Sequence, residues 1–419
     1  MTKGLRILYL ADIRFPLERA NGIQTVETCD ALAARGHDVE LLVRPDTAQP
    51  PRDPFAFYGL SRRPTLRITY APTVRAGGGR RLLYLWTALR RAFGHARDTV
   101  VLTRDLGVAS ALLHLPRSAR PPIVFESHGF APAVAEALPT LLSGARPASR
   151  RKRRRLSARE RRVWREADAY VTITRALAAD LTERFGTRRL LETIPDGVRI
   201  EEPRRFEPLA WNQTPLVAYA GHLYPWKGVD VLLRALALLP DVRGLVVGGH
   251  PDESDLPRTQ ELARELGLAD RIDFVGWVAP ASVRGHLARA DLLVLPNVAT
   301  SISSRYTSPL KLFEYLAAGK PIVGSDLPAL REVLRPGENA VLVEAGSPDA
   351  LAAGMRQVFE DRRLAERMAR RAFGDARSYA WARRAARLEA MLDMAVRDAS
   401  SGRAIHEDRP ESSDGHIET

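Results

Sequence analysis

Residues 215–249 read PLVAYAGHLYPWKGVDVLLRALALLPDVRGLVVGG. An apolar run ends at a glycine turn, a helical pattern starts from Gly228, and a second apolar run closes on Gly248 and Gly249. This is a strand–helix–strand unit of the kind that builds parallel α/β sheets. The alternation continues downstream through "RIDFVGW", "DLLVLPN", "KPIVGSD" and "AVLVEA". Upstream, "RILYLAD" leads through "NG" into a helix ending at Gly36 and then to "DVELLVR", followed by "DTVVLTR", "PPIVFES" and "AYVTITRA". Two consecutive Rossmann-like domains are the simplest reading, residues 1–200 and 213–375, joined by a polar, proline-containing linker at 201–212. A C-terminal helix at 376–396 is expected to pack back on the first domain. The stretch 397–419, with six acids against three arginines, reads as a disordered tail.

The chain has 419 residues, 45% of them hydrophobic, enough for two or three domains with sizeable cores. A single cysteine, Cys29, excludes an internal disulfide framework or a cysteine metal cluster, and its place in a predicted helix makes it a small buried apolar group. No apolar run approaches the length of a membrane span, and "LRILYLAD" reads as a strand rather than a signal peptide, so a cytoplasmic location is expected. Walker A and dinucleotide-binding glycine fingerprints are missing, which argues against an ATPase or a dehydrogenase. The net charge of +13 is concentrated: Arg146 to Arg165 holds eleven Lys/Arg against one acid, Glu160, a net +10.

Rossmann-like sheets bind ligands at the carboxyl ends of their strands. In "AGHLYPWKG", Gly221 permits close backbone approach and Lys227 sits just before a helix N-terminus, a setting for a diphosphate. His222 adds a donor, and the bland alternative for Lys227 is a solvated loop lysine. Gly248 and Gly249 mark a second such turn. In "YTSPLKLFEYLAAGKPIVGSD" (306–326), Ser308 is expected to cap a helix with Pro309 at its first position and Gly319 at its left-handed stop. Glu314 borders the apolar stripe, between Leu310 and Ala318, instead of opposing it. It is expected to be partly buried and to hold something, either a ligand or local backbone N–H groups.

The ordered combination of "NGIQTVETCDALAARGHDV", "FESHGF", "IPDGV", "GHLYPWKG", "RIDFVGW", "LARADLLVLP" and "SPLKLFEYLAAGKPIVGSDLPALREV" resembles the retaining glycosyltransferases of family 4. The resemblance covers the chain from Leu5 to Ala390. It implies the α/β GT-B fold, two Rossmann-like domains facing a central cleft. It gives Glu314 the donor ribose, the N–H groups of Leu310 and Lys311 the diphosphate, and Lys227 the role of the diphosphate lysine. The matching arginine is His222 here, a weaker and pH-dependent cation. The family's first glutamate falls on Tyr306, to which no role is assigned. Gly22 resembles the glycine loop facing the donor phosphates and acceptor. His128 in "ESHGF" matches an active-site histidine near the reacting sugar, so His128 and Lys227 are the catalytic candidates. Arg104 and Asp105 in "LTRDLG" are further residues that could reach the cleft.

The implied reaction moves a hexose from a UDP- or GDP-linked donor to an acceptor hydroxyl with retention, in glycan, exopolysaccharide or glycolipid biosynthesis. The nucleotide-sugar is a substrate, and neither a cofactor nor a metal is expected. The acceptor is a glycan, a lipid-linked molecule or a small molecule. A GT-B-like nucleotide-sugar epimerase and a non-catalytic sugar-nucleotide-binding protein are the alternatives, the latter supported by the charges lost at positions 222 and 306. The basic segment contains one aromatic, Trp164, so it lacks a stacking platform for nucleic acid. The expected partner of Arg146–Arg165 is the anionic inner face of the cell membrane, with Trp164 at the interface. A solvated charged helix face is the alternative.

Overall fold

A computed structural model describes residues 4–72, 79–94, 99–142, 145–200, 205–250 and 253–401. The first half runs β1 (Arg6–Arg14), α1 (Ala20–Ala34), β2 (Asp38–Arg44), α2 (Pro54–Tyr58), β3 (Leu66–Tyr70), α3 (Gly79–Gly94), β4 (Thr99–Thr103) and α4 (Leu106–Leu112). It continues with β5 (Ile123–Ser127), α5 (Ala131–Leu141), α6 (Arg150–Glu166), β6 (Ala169–Thr172), α7 (Arg175–Phe185) and β7 (Leu191–Thr193). The second half runs β8 (Leu216–Ala220), α8 (Val229–Ala237), β9 (Arg243–Val247), α9 (Asp255–Glu265), β10 (Ile272–Gly276), α10 (Pro280–Ala288), β11 (Leu292–Leu295), α11 (Ser301–Arg305) and α12 (Leu310–Ala318). Then come β12 (Ile322–Ser325), α13 (Pro328–Arg331), β13 (Val341–Val343), α14 (Pro348–Glu360), α15 (Arg362–Ala376) and α16 (Trp381–Ser401).

The strands form two parallel sheets, ordered β3-β2-β1-β4-β5-β6-β7 and β10-β9-β8-β11-β12-β13. Each order reverses beside its first strand, so each sheet opens a crevice at the carboxyl ends, between β1 and β4 and between β8 and β11. Central strands such as "TVVLT" and "LLVL" are buried along their whole length, because helices cover both faces and no side chain meets water.

The chain then returns to its beginning. Helix α16 packs along α1, and its Leu388 and Leu392 join the core of the first sheet. Two expectations change here. The helix begins at Trp381 and runs to Ser401, so residues 397–401 are helical rather than tail, and 402–419 lie outside the described residues. Of the 201–212 linker, 201–204 also lie outside them, and the rest is tied down. Trp211 packs on the second core under the Arg362 guanidinium, and Asn212 N donates to Asp291 Oδ1 at 2.9 Å.

The two halves are latched together by side chains. Tyr306 Oη donates to Asp180 Oδ2 at 2.5 Å, and Thr174 Oγ1 donates to Arg305 O at 2.7 Å. The Glu332 carboxylate accepts from Arg175 N at 2.9 Å and Ala176 N at 3.2 Å, capping α7 from the other domain. On the opposite side of the cleft, Phe57 stacks on Trp277 with ring centroids 6.1 Å apart. Ser308 takes part in this latch too. Its hydroxyl accepts from Asp196 N at 3.0 Å, which removes it from the predicted capping role, and Pro309 occupies the N-cap of α12. The Gly319 stop is left-handed as expected, at φ 66°.

Candidate active site

The turn after β8 brings two lysines toward one another. Gly221 is at φ 129°, and a Cβ there would lie 3.0 Å from Lys311 Nζ, so only glycine lets that ammonium approach the backbone. Gly228, at φ 76°, has Pro296 O where a Cβ would stand, 1.7 Å away, and this contact seats the turn on the end of β11. Lys227 Nζ lies 3.7 Å from the Trp226 ring centroid, and Lys311 Nζ lies 3.6 Å from that of Tyr219. The Lys311 ammonium is buried and has no hydrogen-bond partner. Burial pushes the Lys227 pKa down to about 7. Lys311 is held well below its usual value, first by burial and then by Lys227, with Glu314 opposing. Two lysines are thus held at the carboxyl end of β8 where burial disfavours their charged forms, and an anion placed beside them would favour protonation.

Glu314 follows Lys311 by one helical turn and is partly buried, as its place on the stripe implies. It lines a cavity between the halves with Ile23, Glu27, Tyr58 and Arg199 of the first half and Pro280 and Arg284 of the second. Burial pushes its pKa up to about 7, with Lys311 opposing and Glu27 adding. Arg199 is fixed to the first-half wall of this cavity, pairing with Glu27 and donating to Gly59 O at 2.8 Å.

His222, Gly22 and Tyr306 are each held by contacts of their own. His222 pairs through Nδ1 with Glu253 Oε2 at 3.2 Å and stacks on Tyr224 at 4.9 Å. Burial lowers its pKa, with Glu253 opposing. Gly22 lies inside the first turn of α1 rather than opening it. A Cβ there would meet Leu17 O at 2.4 Å and Tyr58 Oη at 2.5 Å, so close packing already requires a glycine. Tyr306 packs into the first domain's core and donates to Asp180.

His128 follows the end of β5 and belongs to a network that sequence reasoning did not assemble. Its Nε2 lies 2.5 Å from Glu126 Oε1, an oxygen that also accepts from Gln24 Nε2 and from Arg384, each at 2.7 Å. Arg384, fully buried on α16, further donates to Thr28 Oγ1 at 3.0 Å and Pro195 O at 3.1 Å. Burial opposes ionisation of Glu126, but Arg384 and His128 outweigh it and hold the carboxyl well below the usual range. Burial and then Arg104 lower the His128 pKa, with Glu126 opposing. Arg104 belongs to this network, donating to Gln24 Oε1 at 2.8 Å, whereas Asp105 caps α4. Glu126, His128 and Asp196 have the spacing of a metal-binding group, yet Arg384 already brings a positive charge to that carboxylate. One signal was available: residues two apart at a strand end share a side, which pairs Glu126 with His128.

The elements that carry the two clusters are neighbours. Helix α5, three residues beyond His128, packs against the Pro225–Lys227 turn, and Trp226 of that turn reaches the first domain's core. The basic segment lies elsewhere, on α6. Trp164 is fully buried there against Tyr170 and donates to Gly186 O at 3.1 Å, so it is core and not an interfacial aromatic. Glu160 is buried as well, accepting from Ala131 N at 2.9 Å, which leaves the cations as the outer face of α6.

Residues 22–202 match the family model described as Glycosyltransferase Family 4, and residues 201–375 match Glycosyl transferases group 1. A D-inositol 3-phosphate glycosyltransferase of Nocardia farcinica is 30% identical over 240 residues, 53% of this chain and 52% of that protein. A phosphatidyl-myo-inositol mannosyltransferase of Mycobacterium leprae is 32% identical over 230 residues, 52% of this chain and 58% of its own length. The chain thus spans about half the length of the curated relatives it matches. Among solved structures, sucrose-phosphate synthase from Thermosynechococcus elongatus superposes with TM-score 0.73 at 20% identity, covering 93% of this chain and 98% of that one. Anabaena HepE in complex with UDP-glucose superposes with TM-score 0.69 at 17% identity, covering 93% and 99%.

Proposed function

This chain belongs to glycosyltransferase family 4, and we propose that it moves a hexose from a nucleoside diphosphate-sugar to an acceptor hydroxyl with retention at the anomeric carbon. The observation that carries the reading is the Lys227–Lys311 pair at the Gly221 turn, where a buried ammonium stands without a partner. A donor diphosphate supplies the missing charge. As the bond from anomeric carbon to phosphate oxygen breaks, negative charge grows on the leaving phosphate and both ammoniums oppose it. The acceptor oxygen bonds to the anomeric carbon from the same face, and its proton passes to the leaving phosphate oxygen. That route needs neither a side-chain base nor a divalent metal. Glu314 accepts hydrogen bonds from the ribose hydroxyls. His128, with Nε2 committed to Glu126, offers Nδ1 to a sugar hydroxyl.

UDP and GDP donors are the first to test. The names of the relatives put phosphorylated inositol and phosphatidylinositol among the acceptors, beside glycans and lipid-linked sugars. The exposed cations of α6 suit peripheral attachment to an anionic membrane face, and no helix among the described residues is long and apolar enough to cross a membrane.

Nucleotide-sugars screened by thermal shift, with mass spectrometry of the products and of their anomeric configuration, test the reading. Transfer with retention, unchanged by chelator, is expected. An altered nucleotide-sugar released without acceptor would replace it with an epimerase, and inversion or restoration by Mg²⁺ after chelation would overturn the mechanism.

A further inference from the structure

Helix α3 is apolar on two sides. Tyr84, Ala88 and Ala92 face the first domain's core, and Tyr84 Oη donates to Leu42 O at 2.9 Å. Leu82, Trp86 and Phe93 are 71%, 54% and 62% exposed. At about 100° per residue these three fall within roughly 40° of one another, on the side away from Tyr84. Leu89, partly buried, lies on the same line. Exposed large apolar residues are unremarkable singly, but a stripe of them along one helix marks a contact surface.

The charges around the stripe say what it contacts. Helix α3 contains four arginines and no acid, and the Arg90 guanidinium lies over the outward Trp86 ring at 5.5 Å. Helix α4 packs against both α3 and α6, placing them on one side of the domain. Arg159 of α6 feels this neighbourhood: its pKa is lowered by burial, then by Arg155 of its own helix and Arg81 of α3. Arg150, Arg151, Lys152, Arg154 and Arg155 are exposed along α6. A protein partner would need an acidic rim around an apolar groove. An anionic bilayer offers negative headgroups above an apolar layer everywhere along its surface.

We propose that α3 and the outer face of α6 form one docking surface for an anionic lipid bilayer, with Leu82, Trp86 and Phe93 entering the acyl boundary. The arginines draw the domain to the headgroups, and the stripe fixes its depth and orientation. Trp86, rather than Trp164, is the interfacial aromatic. The transferase reading supplies only the use of this surface, presentation of a lipid-borne acceptor to the cleft; the binding itself does not depend on it.

Flotation of the full chain with vesicles of phosphatidylcholine alone, or with phosphatidylglycerol added, at low and high salt tests the surface. Wild type is expected to float only with the anionic vesicles. The double variant Trp86→Ala/Phe93→Ala should lose roughly tenfold or more of its partitioning and keep the salt dependence. Gln at Arg150, Arg151, Arg154 and Arg155 should instead remove the salt-sensitive part. Brominated lipid should quench the wild type and spare Trp86→Phe. Since the outward residues touch no core, the double variant should keep the wild-type melting temperature and its turnover of a water-soluble acceptor. Wild-type partitioning by the double variant, or no flotation of wild type at low salt, overturns the proposal. So does a concentration-dependent dimer that is lost with Trp86 and Phe93 while vesicles stay unbound. A soluble-acceptor assay that fails while flotation succeeds would count against the transferase reading alone.

Discussion

Arg384 donates to the Glu126 carboxylate at 2.7 Å across 258 residues of sequence, and both groups are buried. The same carboxylate oxygen lies 2.5 Å from His128 Nε2. The orientation of the catalytic candidate is therefore governed from the far end of the chain. Replacing Arg384 with Met removes one partner of a buried ion pair, which costs about 3–5 kcal/mol because the remaining charge is left uncompensated. Urea unfolding should show that loss, and the double variant Glu126→Gln/Arg384→Met should recover part of it. Full wild-type stability of Arg384→Met would mean that Glu126 is held by Gln24 and His128 alone.

Donor affinity should fall as pH rises above 7. Lys227 has a pKa of about 7 in the free protein, and an adjacent diphosphate would raise it in the complex. Affinity is complete below the lower value and is lost through the interval up to the higher one, by at most about tenfold per pH unit. Calorimetry of UDP binding at pH 8, in two buffers of different ionisation enthalpy, should register proton uptake. Lys227→Met should reduce it to the share taken up by Lys311, and proton release by the wild type would contradict the assignment.

Glu314→Gln and Lys227→Ala should fail in different ways. In the proposed role the carboxylate would contact ribose alike in ground and transition states, so its loss should raise the donor KM about tenfold with kcat nearly unchanged. The ammonium interaction strengthens as charge develops, so its loss should cut kcat by roughly 10²–10³. Steady-state kinetics with varied donor separates the two, and equal effects on kcat would remove the distinction.

Tyr306→Phe should cost about 1.5–3 kcal/mol, the worth of a hydrogen bond to a charged group, and leave UDP affinity unchanged. Tyr306→Glu should be worse, since it sets a second carboxylate against Asp180. Thermal denaturation and UDP titration of both variants check this. A gain in donor affinity for Tyr306→Glu would return position 306 to the donor site.

The two-domain fold was legible because buried parallel strands write themselves as short apolar runs between helical patterns, as "LLVL" and "IVFES" do. Strands β3 and β7, "LRITY" and "LET", were not, being short edge strands whose polar positions face water. Gly221 and Lys227 were readable because each lies next to a strand end or a helix start that the local sequence defines, Glu314 because it borders the apolar stripe of its helix, and Lys311 only through the family resemblance. Glu126, Asp196 and Arg384 come together only through the tertiary fold. The return of α16 to the first domain brings an arginine to a strand far away, and no local spacing encodes that meeting. Ser308 shows the reverse error, where a plausible local cap was pre-empted by a donor from the other domain.

The return of α16 also sets an order of assembly on the ribosome. The first domain is synthesised first, yet Trp381, Arg384, Leu388 and Leu392, which complete its core, emerge only after the whole second sheet. Until they do, α1 lacks its neighbour and Glu126 lacks its guanidinium. A nascent chain paused before residue 381 exposes an apolar seat beside an unpaired buried acid, the kind of surface that holdase chaperones grip. Expression of residues 1–375 would hold the protein at that stage, even though both sheets would be present.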